Sequence, residues 1–282
     1  AARGIERLGV LRMDVDDLGQ IFRQGLGKQA SLSRIATLSL AISIYFDGYV
    51  ETLAREFNPE RGVHSVYSIY SGGDDLFFVG SWDKMLTLAQ RIREGFDHYA
   101  GGNPHLHLSG GLALVDAHYP LYRAAEEARQ AEDAAKGLEG KNAFTFLGRA
   151  LPWPTFERAA HLADQLDRLV QSGDAPKALL RLLIRAQDAY DAVARRRARD
   201  GADRTATGQP QGYYGPWIPR LEYNLARLAE RQRKIAAEVG EIRASLQEDH
   251  YSSIEWIGLV ARWVELLNRT RIRRTEDDGS NQ

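Results

Sequence analysis

The sequence predicts an α+β protein: a ferredoxin-like layer over residues 1–150, followed by an all-α helical bundle over residues 151–282. Three observations carry this. Strand and helix periodicities alternate through the first half. Strand signals disappear after Gly148, where Ala, Leu and Arg take over at helical spacing. Between two β-rich runs lies Ser71-Gly72-Gly73-Asp74-Asp75, a tight turn that carries adjacent carboxylates.

The apolar run Leu8-Gly9-Val10-Leu11 opens a strand over about 8–15, which ends in Asp14-Val15-Asp16-Asp17. Leu38, Ile42, Tyr45, Phe46, Tyr49, Val50 and Leu53 recur at helical spacing and predict a helix over about 32–57. Asn58-Pro59-Glu60-Arg61-Gly62 breaks it. Val66-Tyr67-Ser68-Ile69-Tyr70 and Leu76-Phe77-Phe78-Val79 are the two arms of a hairpin. Asp83 suits the cap of a helix to about Tyr99. Leu106 to Val115 reads as a strand, with Gly110-Gly111 permitting close backbone approach. Pro120 fits the first turn of a helix to about Lys136. Lys141 to Leu147 reads as a last short strand, and Leu151-Pro152-Trp153-Pro154 as a linker. The order β-α-β-β-α-β is that of the split βαβ unit, in which the end of the first strand lies beside the central hairpin. Beyond it, helices are expected over about 155–172, 175–200, 215–247 and 251–269. Residues 201–212 read as a mobile loop, and the polar tail from Thr275 as disordered.

Of the 282 residues, 44% are hydrophobic and 27% charged, proportions usual for a soluble globular protein. A formal net charge of −1 gives no global attraction to polyanions. A local basic surface stays open, and Arg195-Arg196-Arg197-Ala198-Arg199 is either an RNA-backbone contact or a solvated helix end. The absence of cysteine excludes disulfides and thiolate metal sites and fits a reducing cytoplasm. No apolar run approaches the ~18 residues of a membrane span, and no signal peptide is visible. The start at Ala1, directly before a strand, suggests a piece of a longer protein.

Asp74 and Asp75 at a hairpin tip repel one another unless a cation lies between them. The hard oxygens suit magnesium or manganese. A strand ending in Asp14-Val15-Asp16-Asp17 offers further carboxylates, although Asp16 or Asp17 equally suits a helix cap. Together the two clusters would make a nest for two metals roughly 3.5–4 Å apart, the arrangement used in phosphoryl and nucleotidyl transfer.

Met13-Asp14-Val15-Asp16-Asp17-Leu18-Gly19, Ser33-Arg34, Leu38-Ser39, Tyr70-Ser71-Gly72-Gly73-Asp74-Asp75-Leu76 and Leu108-Ser109-Gly110-Gly111 closely resemble the second palm domain of the large subunit of type III-A (Csm-type) CRISPR effector complexes. Ala131-Glu132-Asp133-Ala134-Ala135-Lys136 and Gly140-Lys141-Asn142 extend the likeness, and the Arg-rich remainder, including Trp217-Ile218-Pro219-Arg220, resembles that subunit's C-terminal helical domain. The resemblance implies a palm related to nucleotide cyclases and polymerases. It implies ATP as substrate, joined into cyclic oligoadenylates with two divalent ions, when a guide RNA in the complex pairs with a target transcript. It makes Asp14, Asp74 and Asp75 metal ligands, with the Val15 carbonyl as a further one. Lys136 would neutralise the triphosphate, assisted by Lys141. Ser71, Gly72, Gly73 and Ser109 would lie against the nucleotide. Other subunits of such a complex, and its guide and target RNA, are the implied partners, with no membrane. The family's full subunit also carries an HD nuclease domain, another palm and a zinc-binding insertion. No His-Asp dipeptide and no cysteine occurs here.

Two other readings remain. A GGDEF-type dinucleotide cyclase shares the palm and the acidic hairpin, but its guanine-reading segment has no counterpart in Gln20 to Thr37. A scaffold subunit would keep the fold without turnover; three intact carboxylates favour catalysis.

Overall fold

The computed structural model describes residues 2–25, 27, 30–58, 64–172, 177–199, 213, 215–248 and 250–269. Six strands form one sheet: β1 (Leu8–Val15), β2 (Val66–Gly72), β3 (Asp75–Ser81), β4 (Leu108–Val115), β5 (Ala143–Phe146) and β6 (Arg149–Pro152). Their order is β2-β3-β1-β4-β5-β6. β1 is central and runs antiparallel to both β3 and β4. The first four strands thus have the split βαβ order that the sequence predicts.

Alternation along β1 sets the two faces of the sheet. Leu11, Met13 and Val15 enter the main core with Trp82, Met85 and Leu88 of α4 (Trp82–Tyr99). Val10 packs on the other face with Ala113 and with Ala124 and Ala128 of α5 (Leu121–Lys136). α5 lies directly on Gly111: a Cβ there would come 2.5 Å from the backbone carbon of Ala131. Arg12 and Asp14 share this face, so α5 passes over them.

On the first face, α1 (Leu18–Gln20) leads through a π-helical turn (Ile21–Gly25) toward α2 (Leu32–Ile44), whose Ser31 cap accepts from the Arg34 amide. The single helix expected over 32–57 is interrupted. Tyr45–Val50 is π-helical and continues into α3 (Glu51–Glu56). This over-wide stretch buries Tyr45, Phe46 and Val50 together, and the Tyr45 hydroxyl reaches the Ile92 carbonyl. The cap of α4 is Ser81, with Asp83 in the first turn, where its charge suits the helix dipole.

The expected linker is also corrected. Leu151 and Pro152 belong to β6, and Trp153 and Pro154 begin α6 (Trp153–Gln171). β5 and β6 are joined by Leu147-Gly148, both with positive φ (49° and 75°). That is the backbone of a type I′ hairpin, built without its usual Asn-Gly signal.

The helical region continues with α7 (Lys177–Arg199), α8 (Trp217–Arg231), α9 (Ala236–Glu248) and α10 (Ile257–Leu267). The helix expected over 215–247 divides at Gln232, which leaves helical geometry before a 3-10 turn, Arg233–Ile235. Another 3-10 turn, Ser252–Glu255, precedes α10. Residues 201–212 and the tail from Thr275 lie outside the described residues. Phe144 packs on Trp153 and Phe156, and Phe146 on Trp263, so the sheet and the helices share one apolar cluster. Buried Gln187 of α7 accepts from the Gly258 and Leu259 amides, at 2.6 and 3.1 Å, and so satisfies the start of α10.

Candidate functional site

Asp14 stands at the end of β1, opposite Asp75 on β3 and Ser109 on β4. Directly opposed residues on adjacent antiparallel strands have Cβ atoms about 4.5–5.5 Å apart on one face. Asp74 is the second residue of the two-residue turn Gly73-Asp74, closed by the Gly72–Asp75 pair. Gly73 alone has positive φ, 67°, at the first turn position, where a II′ hairpin requires glycine. The Asp74 carbonyl accepts from the Val15 amide at 3.0 Å, tying the turn to the end of β1. The sixty residues between Asp14 and Asp74 therefore close on themselves, as the sequence predicts.

The turn has two further supports. The Tyr70 hydroxyl donates to the Gly72 carbonyl at 2.9 Å, and the Ser71 hydroxyl to the Phe46 carbonyl at 2.8 Å. Ser71 thus binds the turn to the π-helical segment. Gly72 is buried, and a Cβ on it would lie 2.6 Å from a carboxylate oxygen of Asp47 in that segment. Tyr70 stands near Asp75, whose negative charge, first among several causes, raises its phenol pKa.

Lys136 ends α5 above Asp14. Its ammonium pairs with the Asp14 carboxylate and, at 2.7 Å, with Glu132 one turn earlier. Arg12 spans Glu132, at 3.3 Å, and Asp75, at 3.9 Å. Burial raises the Asp14 pKa to about 6; Lys136 pulls it down, while Asp74 and Glu132 push it up. Burial works against the charge of Lys136, yet its hydrogen bonds to Asp14 and Glu132 hold its pKa above the ordinary value. Among the described residues no three carboxylates or imidazoles close around one point. At Asp14 the ammonium of Lys136 supplies the positive charge.

Asp16 has a different place from Asp14. It is 1% exposed. One carboxylate oxygen accepts from the Ser109 hydroxyl at 2.8 Å and the Asn142 amide at 3.1 Å, and lies 2.8 Å from His107 Nδ1. The other oxygen has no partner. Asp16 therefore clamps the ends of β1 and β4 to the turn before β5, where Lys141 and Asn142 both have positive φ (51° and 47°). Ser109 is fully buried, its hydroxyl spent on Asp16. Lys141 pairs with Asp17 at 2.6 Å, beside the Lys136 cluster but not within it. Asp17 precedes α1 with φ of 54° and makes no side-chain cap.

The structure thus gathers Asp14, Asp74, Asp75 and Lys136, with Val15, Gly72 and Gly73 shaping the backbone around them. The hydroxyls of Ser71 and Ser109 face inward to protein partners. Arg12, Glu132, Asp47 and the Asp16 clamp were not singled out by the sequence. Glu132 carried one legible signal, its i,i+4 spacing to Lys136.

Residues 7–145 match the family model of the Cas10/Cmr2 second palm domain. They belong to that family. The Cas10/Csm1 protein (subtype III-A) of Mycobacterium tuberculosis, named as a CRISPR-system single-strand-specific deoxyribonuclease, is 38% identical over 183 residues, 58% of this chain and 22% of its own length. The crystal structure of a Csm1–Csm4 cassette with pppApApA superposes with a TM-score of 0.67 at 26% identity, covering 96% of this chain and 38% of that one. The cassette with cA4 gives 0.65 at 25%, covering 95% and 37%. Both superpositions extend through the helices that follow the Cas10 palm. The chain spans about a fifth of the length of the curated relatives it matches.

Proposed function

We propose that this chain is the nucleotide-joining part of a type III CRISPR effector subunit, converting ATP to cyclic oligoadenylates within an RNA-guided complex. The observation that carries this reading is the convergence of Asp14, Asp74 and Asp75 from a strand end and a hairpin tip, under the ammonium of Lys136. That solved Csm1–Csm4 cassettes hold pppApApA and cA4 supports adenylates as the ligand class.

In the proposed reaction the 3′-hydroxyl oxygen of one adenylate forms a bond to the α-phosphorus of an ATP. The bond from that phosphorus to the bridging oxygen breaks, pyrophosphate leaves, and the hydroxyl proton passes to solvent. Divalent ions, held by Asp14, Asp74, Asp75 and the Val15 carbonyl, would activate the hydroxyl and offset the charge of the leaving group. The donor set fits such ions, since all its atoms are hard oxygens. Lys136 pairs with Asp14 and would turn to the triphosphate if a metal took that carboxylate. The II′ turn at Gly73 holds the backbone of Asp74 and Asp75, which leaves little reorganisation to the reacting state. Glu132 and Arg12 keep Lys136 and Asp75 aimed across the same face.

The test is the complex assembled with its partner subunits, guide and target RNA, supplied with ATP and Mn²⁺ or Mg²⁺. Asp74→Ala combined with Asp75→Ala should abolish oligoadenylate formation and leave target RNA binding intact. Synthesis retained by this variant removes the site from the reaction. Use of GTP as readily as ATP would instead favour a GGDEF-like cyclase. ATP binding without product in the unmutated complex would favour a scaffold.

A further inference from the structure

The helical region holds a groove that the nucleotide chemistry does not use. α7 and α8 run antiparallel, with Tyr190 against Trp217 at one end and Leu179 and Leu182 beside Leu228 toward the other. Between them lies a cleft of about 450 Å³. Arg181 and Arg185 form one rim, and Arg227 and Arg231 the other, with Asn224 between. All four arginines are exposed, and no acidic residue lines the cleft. None of the four forms an ion pair among the described residues. Three carboxylates of these helices are engaged elsewhere, Asp188 with Arg262, Asp191 with Arg149 and Glu222 with Arg243, and the exposed Glu230 does not line the cleft. What sets these four guanidinium groups apart is their convergence: two from each helix face one cleft whose lining carries no carboxylate.

Spacing and chemistry narrow the ligand. Residues at i and i+4 lie about 6 Å apart along a helix axis, so each rim presents two guanidinium groups in line. Packed helices lie about 8–10 Å apart, too close for a nucleic-acid duplex to enter but wide enough for one extended strand between the rims. All the cations are arginine, whose planar fork binds phosphate in a bidentate manner. The floor is made of buried Leu179 and partly buried Leu182 and Leu228, without the large exposed apolar surface that anchors a protein segment. We propose that the α7–α8 groove binds the phosphodiester backbone of a single-stranded nucleic acid. The groove is separate from the Asp14 site, and this binding requires no catalysis there. It also moves the nucleic-acid contact away from the Arg195–Arg199 run, where Arg195 spends a guanidinium hydrogen on the Asp191 carbonyl.

The test uses the full chain and fluorescein-labelled oligouridylate, with affinity read by anisotropy across a salt series. The quadruple variant Arg181→Gln, Arg185→Gln, Arg227→Gln, Arg231→Gln keeps good helix formers at exposed positions. It should leave the melting temperature unchanged, weaken binding by at least about tenfold at low salt, and flatten the slope of log K against log salt by about 3, at ~0.7 per phosphate contact. A control with the same charge change, Arg195→Gln, Arg196→Gln, Arg220→Gln, Arg233→Gln, should change the slope by less than half as much. Oligodeoxythymidylate binding as well as oligouridylate supports readout of the phosphodiester backbone, and preference for the RNA supports a further contact to the ribose. Equal losses in the two variants would reduce the groove to general charge. Displacement of the RNA by an oligoglutamate peptide at equal charge concentration would make it a dock for an acidic protein segment. Either result, or a wild-type slope near zero, overturns the proposal.

Discussion

Replacing Asp14 by Asn should stabilise the metal-free protein, and the gain should grow with pH. The Asp14 pKa rises from 3.8 to about 6 in the fold, with burial as the main cause. The folded state therefore holds the proton more tightly than the unfolded chain. A carboxyl group of this kind contributes its full stability below the unfolded pKa, near 4, and loses it as pH rises through about 6. The difference, from 3.8 to about 6, corresponds to about 3 kcal/mol at pH 8, at ~1.36 kcal/mol per pH unit. Asn resembles the protonated acid: it has no charge to desolvate, and its carbonyl still accepts from Lys136. Lys136 titrates above this range, so it leaves the window from pH 4 to 8 to Asp14. Urea denaturation followed by circular dichroism, in buffers containing a chelator, should give wild type and variant equal stability at pH 4. At pH 8 the variant should be more stable by up to about 3 kcal/mol. Millimolar Mg²⁺ or Mn²⁺ should then narrow the gap by stabilising wild type alone, since a ligand favours the state that binds it. A difference that stays flat from pH 4 to 8, or a variant less stable at pH 8, would refute the view of Asp14 as a buried, undercompensated carboxylate.

Gly111→Ala should cost about 1–3 kcal/mol, because its methyl group meets the backbone of α5 at 2.5 Å and the helix must shift; in the active complex it should also lower oligoadenylate output, since Lys136 rides on that helix. Asp16→Asn should cost about 1–3 kcal/mol, because a neutral carbonyl replaces the charged acceptor of the Ser109 and Asn142 donors and the buried amide nitrogen takes the place of an oxygen that has no partner. Hydrogen exchange at the Ala143 and Asn142 amides should accelerate in that variant, whereas exchange in α10 should not.

Much of this architecture is legible in the sequence because it rests on local signals. The glycine-bearing turn between β2 and β3, the alternation in β1 and the Gly110-Gly111 pair each follow from what a backbone permits, and together they bring Asp14 to Asp75, although the turn itself is Gly73-Asp74 and Gly72 ends β2. β6 was hidden because its turn places Leu147 at positive φ, a conformation that side-chain preference disfavours and tertiary packing imposes. The π-helical stretch was hidden because Tyr45, Phe46 and Val50 have nearly the same spacing in an α-helix; only the packed core reveals the extra width. At the site, carboxylates adjacent in sequence part company in space. Asp14 and Asp16 follow one another by two residues, yet one meets the α5 cation and the other the buried clamp. Charge alone could not separate them, because the difference lies in where the strand stops alternating.

Trp153 has a mechanical meaning. Its amide donates to the Asn142 carbonyl, its indole nitrogen donates to the Leu108 carbonyl at 2.8 Å, and it is the first residue of α6. Leu108 directly precedes Ser109, the hydroxyl on Asp16. No slack separates the bundle from the acidic end of the sheet, so α6 acts as a handle. Any tilt of α6 against the sheet would strain this indole bond to β4, together with the packing of Phe144 on Trp153 and Phe156.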